Sequence, residues 1–202
     1  MKNNADDGSD GQPLYLTIEN AALIEFAQQG YDGAGMRGIA RRAGIAAGTI
    51  YLHFRDKADL LYSLLDRRAG AIREAMHSAA EGDGATDEKI RAVIGAWVAA
   101  LRESEPLAEL LLRRQLCFPA ALRRRLPDLQ RVARELIGSL LRADPAMLAS
   151  RGEADLVAQT IVGAVERVML DWLERAAASR SEPTKRVGQA VELILRGLNG
   201  RS

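Results

Sequence analysis

Between Met36 and Phe54 the chain reads MRGIARRAGIAAGTIYLHF, a stretch that restricts the fold more than any other. Ile39, Ala40 and Ala43 fall at i, i+1 and i+4, on one side of a short helix. Gly44 follows where the chain must turn sharply, and glycine reaches positive φ without a Cβ penalty. Ile45 is placed to plug the corner, and a second helix sets Ile50 and Phe54 four apart on its inner face. Ala40 is small where that second helix would cross closely. Two short helices packed at roughly 90–120° across such a turn make a helix-turn-helix.

The outer face of the second helix is the first functional clue. Ala46, Ala47 and Gly48 form a low-relief first turn that lets the helix end approach a surface. Thr49, Tyr51, His53 and, one turn on, Lys57 project hydrogen-bonding or cationic groups. In a helix-turn-helix, the N-terminal part of the second helix meets base edges in the major groove. Hydroxyl and ammonium groups also suit phosphates, and a threonine methyl suits a thymine methyl. On these residues alone, a plain covering role for Tyr51 and His53 stays open.

The rest of the chain reads helical, with no period-2 strand pattern between turn signals. Breakers place helices near 15–29, 36–43, 47–53, 57–80, 87–104, 106–115, 119–142, 153–178 and 184–198. Gly30 is expected just past the first helix, and Thr86 as the cap of the fifth. Pro106 and Pro119 suit first turns, and Pro127 should kink or split its helix. The expected fold is all-α with about nine helices.

Bulk properties exclude more than they identify. The 202 residues are 48% hydrophobic and 27% charged with a formal net charge of +1, so bulk charge points to no partner. No apolar run reaches the roughly 18 residues a membrane span needs. The polar, acidic start MKNNADDGSDGQP has no signal-peptide core. The single cysteine, Cys117, has no internal disulfide partner, and a cytoplasmic setting is expected. Flanked by Leu116 and Phe118, its thiol is expected to be buried rather than nucleophilic. His53 and His77 are the only histidines, His77 reading as a surface residue, and no metal-ligand spacing, phosphate loop or catalytic constellation appears. The reading is therefore a non-enzyme without cofactor or metal.

Residues 26–65 resemble the DNA-binding domain of the TetR family of transcriptional regulators. The resemblance is carried by Phe26-Ala27, Gly30-Tyr31-Asp32, Arg37, Ile39-Ala40, Ala43-Gly44-Ile45, Gly48-Thr49-Ile50-Tyr51, His53-Phe54, Lys57 and Leu60-Leu61. It implies a disordered arm at 1–13, a helix-turn-helix domain at 14–56 and a helical ligand-binding and dimerisation domain at 57–202. It further implies that Arg37 reaches a base, that Ala47 and Gly48 help set specificity, and that Thr49, Tyr51 and His53 touch backbone or bases. Lys57 matches a phosphate contact, and Phe54 a core residue docking the motif onto the fourth helix.

Several positions depart from the family pattern. Gly33-Ala34-Gly35 replaces hydroxyl residues before the second helix, and Ala46 replaces a common capping serine, a loss of about 1 kcal/mol. Glu25 stands where an apolar residue is usual, so the first helix is expected to be rotated or its neighbour altered. Residues 1–60 hold six Lys/Arg against eight Asp/Glu, low for a DNA-binding head. Clustering of Arg37, Arg41, Arg42 and Lys57 is expected to compensate.

In the remaining two thirds, Trp97, Leu101, Leu111, Arg113, Arg114, Cys117 and Phe118 are the candidate ligand-lining residues. Apolar stripes also form plain core, but one of Arg113 and Arg114 is expected to face inward and require an anion. Ile161, Val165, Val168, Trp172 and Leu195 are candidate dimer-interface residues, since the resemblance implies that the last two helices pair with their copies. The expected partners are operator DNA, a hydrophobic small-molecule effector and a second copy of the chain. The run GIAAGTIYLHFRDKADLL is most similar to TetR-family regulators of fatty-acid metabolism, which implies an acyl-CoA effector. A planar aromatic drug or metabolite is the alternative ligand. A helical ligand- or partner-binding protein with weak or lost DNA binding is the alternative function.

Overall fold

The computed structural model describes residues 13–113, 117–124, 126, 128–144, 151–175 and 182–199. Every regular element among them is helical: α1 (Leu14–Gly33), α2 (Met36–Arg42), α3 (Ala47–His53), α4 (Lys57–Glu81), α5 (Thr86–Glu103), α6 (Glu105–Ala108), a π-helical turn (Glu109–Arg113), α7 (Ala120–Arg123), α8 (Leu129–Ala143), α9 (Arg151–Glu174) and α10 (Pro183–Asn199). None of these helices is long and apolar enough to cross a membrane. The arm expected at 1–13 lies, but for Pro13, outside the described residues.

Local chemistry accounts for most of the helix ends. Gly30 takes φ 73° inside α1 and breaks its regular winding where a terminal glycine was expected. The helix expected over 119–142 is divided into α7 and α8. Asp128 starts α8, its carboxylate accepting the Arg131 N–H at 2.8 Å. Thr86 does not cap α5 but is its first residue. Glu88 supplies the end contact instead, accepting the Ala85 N–H at 3.0 Å. The helix expected over 106–115 begins at Glu105 and changes to π winding at Glu109, with 114 and 115 outside the described residues.

The chain forms two compact units, one of residues 1–65 and 114–126, the other of 66–113 and 127–202. The division thus falls inside α4, not at residue 57. In the first unit α2 packs against both α1 and α3. Its core holds Ile18, Ala22, Phe26, Ile39, Ala40, Ile50, Leu60, Leu61, Leu64 and Leu65, each fully or almost fully buried.

In the second unit α8 packs on α9, α9 on α10, α10 on α5 and α5 back on α8, closing a ring of four helices. Ile90, Trp97 and Leu101 of α5, Ile137 of α8, Ile161, Val165 and Met169 of α9, and Val191 and Leu195 of α10 fill it. Ion pairs bridge its rim: Arg91–Glu192 at 3.0 Å joins α5 to α10, and Arg142–Asp155 joins α8 to α9. Such exposed pairs contribute about 1 kcal/mol or less each, so apolar burial dominates.

Candidate nucleic-acid interface

The turn between α2 and α3 is built by hydrogen bonds. Gly44 adopts φ 71°. Its N–H donates to Arg41 O at 3.2 Å, and the Ile45 N–H reaches back to Ala40 O at 3.0 Å. Together these make a Schellman closure, which needs a left-handed residue and so favours glycine. The chain then enters α3 through Ala46, whose methyl offers no cap. Ile50 is fully buried and Phe54 nearly so, which fixes which side of α3 faces outward.

On that outward side Ala47, Gly48, Tyr51 and His53 are exposed and Thr49 is half-buried. Arg37 and Arg41 on α2 are exposed as well, and neither has a protein partner among the described residues. Hydroxyl, imidazole and guanidinium donors are thus exposed on α2 and α3, groups that suit contact with a polyanion.

Two of the four expected cations are used internally. The Arg42 Nε donates to Glu25 Oε2 at 3.0 Å and its Nη2 to Gln28 Oε1 at 2.9 Å. Glu25 is accommodated by Gly38, where an added Cβ would stand 2.9 Å from Glu25 Oε1. The unusual acid therefore ties α1 to α2, and its altered neighbours are Arg42 and Gly38.

Lys57 corrects the expected phosphate contact. Its Nζ donates to the carbonyls of Tyr31 at 2.6 Å and Ala34 at 3.1 Å, with Asp32 O at 3.4 Å. It also lies 4.4 Å from the centroid of the Tyr31 ring. An ammonium has three donors, and all three turn inward onto the segment joining α1 to α2. Tyr31 stacks on Phe26 at 6.1 Å and meets Phe118 edge-on at 6.2 Å. Burial, with Asp56 and Asp32 adding negative charge nearby, pushes the Tyr31 hydroxyl pKa above its usual range.

Residues 18–64, which span this head, match the family model for bacterial regulatory proteins of the tetR family. Over these residues the head is similar to the TetR family. It is 35% identical over 97 residues to the fatty acid metabolism regulator protein of Bacillus subtilis, covering 48% of this chain and only 50% of that protein. It is 28% identical over 184 residues to the HTH-type transcriptional repressor KstR of Mycolicibacterium smegmatis, covering 88% of this chain and 85% of that one. Among solved structures, the fatty acid degradation regulator FadR from Bacillus halodurans superposes with a TM-score of 0.78 at 26% identity, covering 94% of this chain and 98% of that one. FadR from Bacillus subtilis, solved in complex with stearoyl-CoA, superposes with a TM-score of 0.75 at 24% identity, covering 91% and 98%.

Beyond the head the other expected site residues separate. Trp97, Leu101 and Leu111 are buried in the second unit. Arg113 is turned outward, paired with Glu109 at 3.0 Å, and does not supply an inward cation. Arg114 lies outside the described residues. Cys117 is exposed, not buried as its apolar neighbours suggested. Phe118 belongs to the first unit, where it meets Tyr31 edge-on.

The expected dimer residues also need correction. Ile161, Val165 and Leu195 are at most 1% exposed, Trp172 is 9% exposed, and Val168 is half-buried, all within one chain. The apolar stripe is buried as expected, but packing among helices of the same chain buries it. Among the described residues of α9 and α10, Leu156 and Leu193, 64% and 73% exposed, are the large apolar residues left outside. Leu52 on α3, 83% exposed, was also missed. A helical projection that set it opposite Ile50 and Phe54 would have revealed it.

Proposed function

We propose that this chain is a dimeric transcriptional repressor that leaves its operator on binding a hydrophobic acyl thioester. The observation that carries the DNA part is the α2–Gly44–α3 turn, which leaves Gly48, Tyr51 and His53 exposed and Thr49 half-buried on α3, and Arg37 and Arg41 exposed on α2. The acyl part rests on the fatty-acid regulators among the relatives, one of them solved with stearoyl-CoA. Trp97, Leu101 and Leu111 are the residues of the second unit proposed to line the acyl site. α4 contributes residues 57–65 to one unit and 66–81 to the other, so a ligand that shifts it acts on both. Such coupling is reciprocal: DNA must weaken acyl-CoA binding by the factor by which acyl-CoA weakens DNA binding.

The second copy is proposed to dock on the outward side of α9 and α10. Leu156 and Leu193 supply apolar area there, and an added side chain at Gly163 would meet nothing within 4 Å in the single chain. Leu156→Glu with Leu193→Glu is expected to give monomers in light scattering without loss of fold. A charge at Ile161 is expected to unfold the chain instead.

Fluorescence anisotropy with DNA from the neighbouring promoter tests the whole reading. A complex that weakens steeply with salt, is released by micromolar stearoyl-CoA and is indifferent to a cationic aromatic dye is the expected result. Release by the dye alone would replace the acyl ligand with a planar aromatic one. A protein that binds the thioester but no DNA would favour a ligand-binding role, to which the internal use of Arg42 and Lys57 lends weight.

A further inference from the structure

The outward surface of α3 has an apolar centre. Successive residues of an α-helix are turned by about 100°, so a residue two after Ile50 and two before Phe54 stands about 180° from their mean direction. That residue is Leu52, and it is 83% exposed while Ile50 is fully buried and Phe54 only 6% exposed. One turn earlier lies Gly48, where an added Cβ would meet nothing within 4 Å. Tyr51, 54% exposed, and His53 stand to either side, with half-buried Thr49 beside them. The hydrogen-bonding groups of the helix thus flank a leucine that stands opposite the helix's buried face.

A leucine has no donor or acceptor with which to read a base edge. The apolar feature that the major groove offers is the C5 methyl of thymine. With glycine one turn away, the helix has no side chain to hold it off the groove floor beside Leu52. Scattered surface leucines are ordinary. This one differs in standing at the apex of the helix that the DNA-binding reading inserts into the groove. On that reading, we infer that Leu52 selects operator sequence by packing against a thymine methyl in each half-site.

The test replaces each thymine of the operator in turn by deoxyuridine, which removes the methyl and leaves every hydrogen-bonding group in place. Anisotropy titrations compare wild type, Leu52→Ala and Leu52→Met. At one thymine, or two adjacent ones, of each half-site, wild type is expected to lose about fourfold in affinity per methyl, the transfer value of one such group. Leu52→Ala should bind thymine and deoxyuridine alike there, while Leu52→Met should keep the difference. Because Leu52 is exposed, both variants should melt like wild type, which separates lost recognition from lost fold. A flat deoxyuridine scan of a well-bound operator, or a loss that persists unchanged in Leu52→Ala, overturns the inference and leaves the repressor reading intact. Failure of wild type to bind any promoter sequence overturns both.

Discussion

Replacing Lys57 by methionine separates a structural lysine from a DNA-contacting one. Methionine keeps an unbranched stem and removes the ammonium. Wild-type Nζ makes two good charge-assisted bonds, 2.6 Å to Tyr31 O and 3.1 Å to Ala34 O, and a weaker contact at 3.4 Å. Bonds involving a charged group contribute about 1.5–3 kcal/mol each, and the contact over the Tyr31 ring about 0.5–1. Lys57 is only half-buried, so water recovers part of the carbonyl bonding in the variant. The net loss should therefore be about 2–3 kcal/mol. For a chain this long, each kcal/mol lowers the melting midpoint by about 2–4 °C, which gives a fall of about 4–12 °C. The loss should appear first in the unit that holds Lys57. The chain supplies separate reporters: Tyr15, Tyr31, Tyr51 and Tyr62 all lie in that unit, and Trp97 and Trp172 both lie in the other. Tyrosine absorbance should shift with the mutation, and tryptophan fluorescence should shift less. The salt dependence of operator binding supplies the second arm. A lost phosphate contact lowers the slope of log K against log salt by about 0.9. Here the slope should not change. A slope reduced by one contact per protomer with an unchanged tyrosine melt would refute the inward placement of Lys57.

Three further outcomes follow from local geometry. Ala46→Ser supplies the cap that α3 lacks and should raise stability by about 1 kcal/mol, read as a higher tyrosine-detected midpoint. Gly44→Ala forces a Cβ into φ 71° and should cost about 1–2 kcal/mol by chemical denaturation, with weaker operator binding because the angle between α2 and α3 is set there. Arg167 holds the Asp171 carboxyl below its usual range, and Arg196 with Arg91 does the same for Glu192. Depressed folded values mean that this stability is present above the usual carboxylate range near about 4 and is lost as pH falls through it. Tryptophan-detected midpoints should therefore fall on acidification below about pH 4, and Glu192→Gln should flatten that decline.

Some features of this protein were determined by residues close together in sequence. The all-α class follows from apolar spacing and breakers, and the reading head from Ile39, Ala40, Gly44, Ile50 and Phe54. Each of these depends on a period of 3.6 residues or on one glycine's φ, which are properties of a few neighbouring peptides. Gly30 and Gly44 at φ 73° and 71° are where that local chemistry required them. What tertiary structure decided was which of several eligible partners each side chain took. Lys57 lies 26 residues from Tyr31 and Arg42 lies 17 from Glu25, so nothing in either neighbourhood excluded a phosphate partner for these cations. Phe118 follows a leucine-rich run in sequence, and it is the fold that sets it against Tyr31, 87 residues away. The stripe of Ile161 and Val165 shows the same limit from the apolar side. Periodicity specifies that a face is buried, because the cost of exposing it is the same whatever covers it. Whether a helix of the same chain or of a second copy covers it depends on packing across the whole unit, and here α8 and α10 pack on α9 within the one chain.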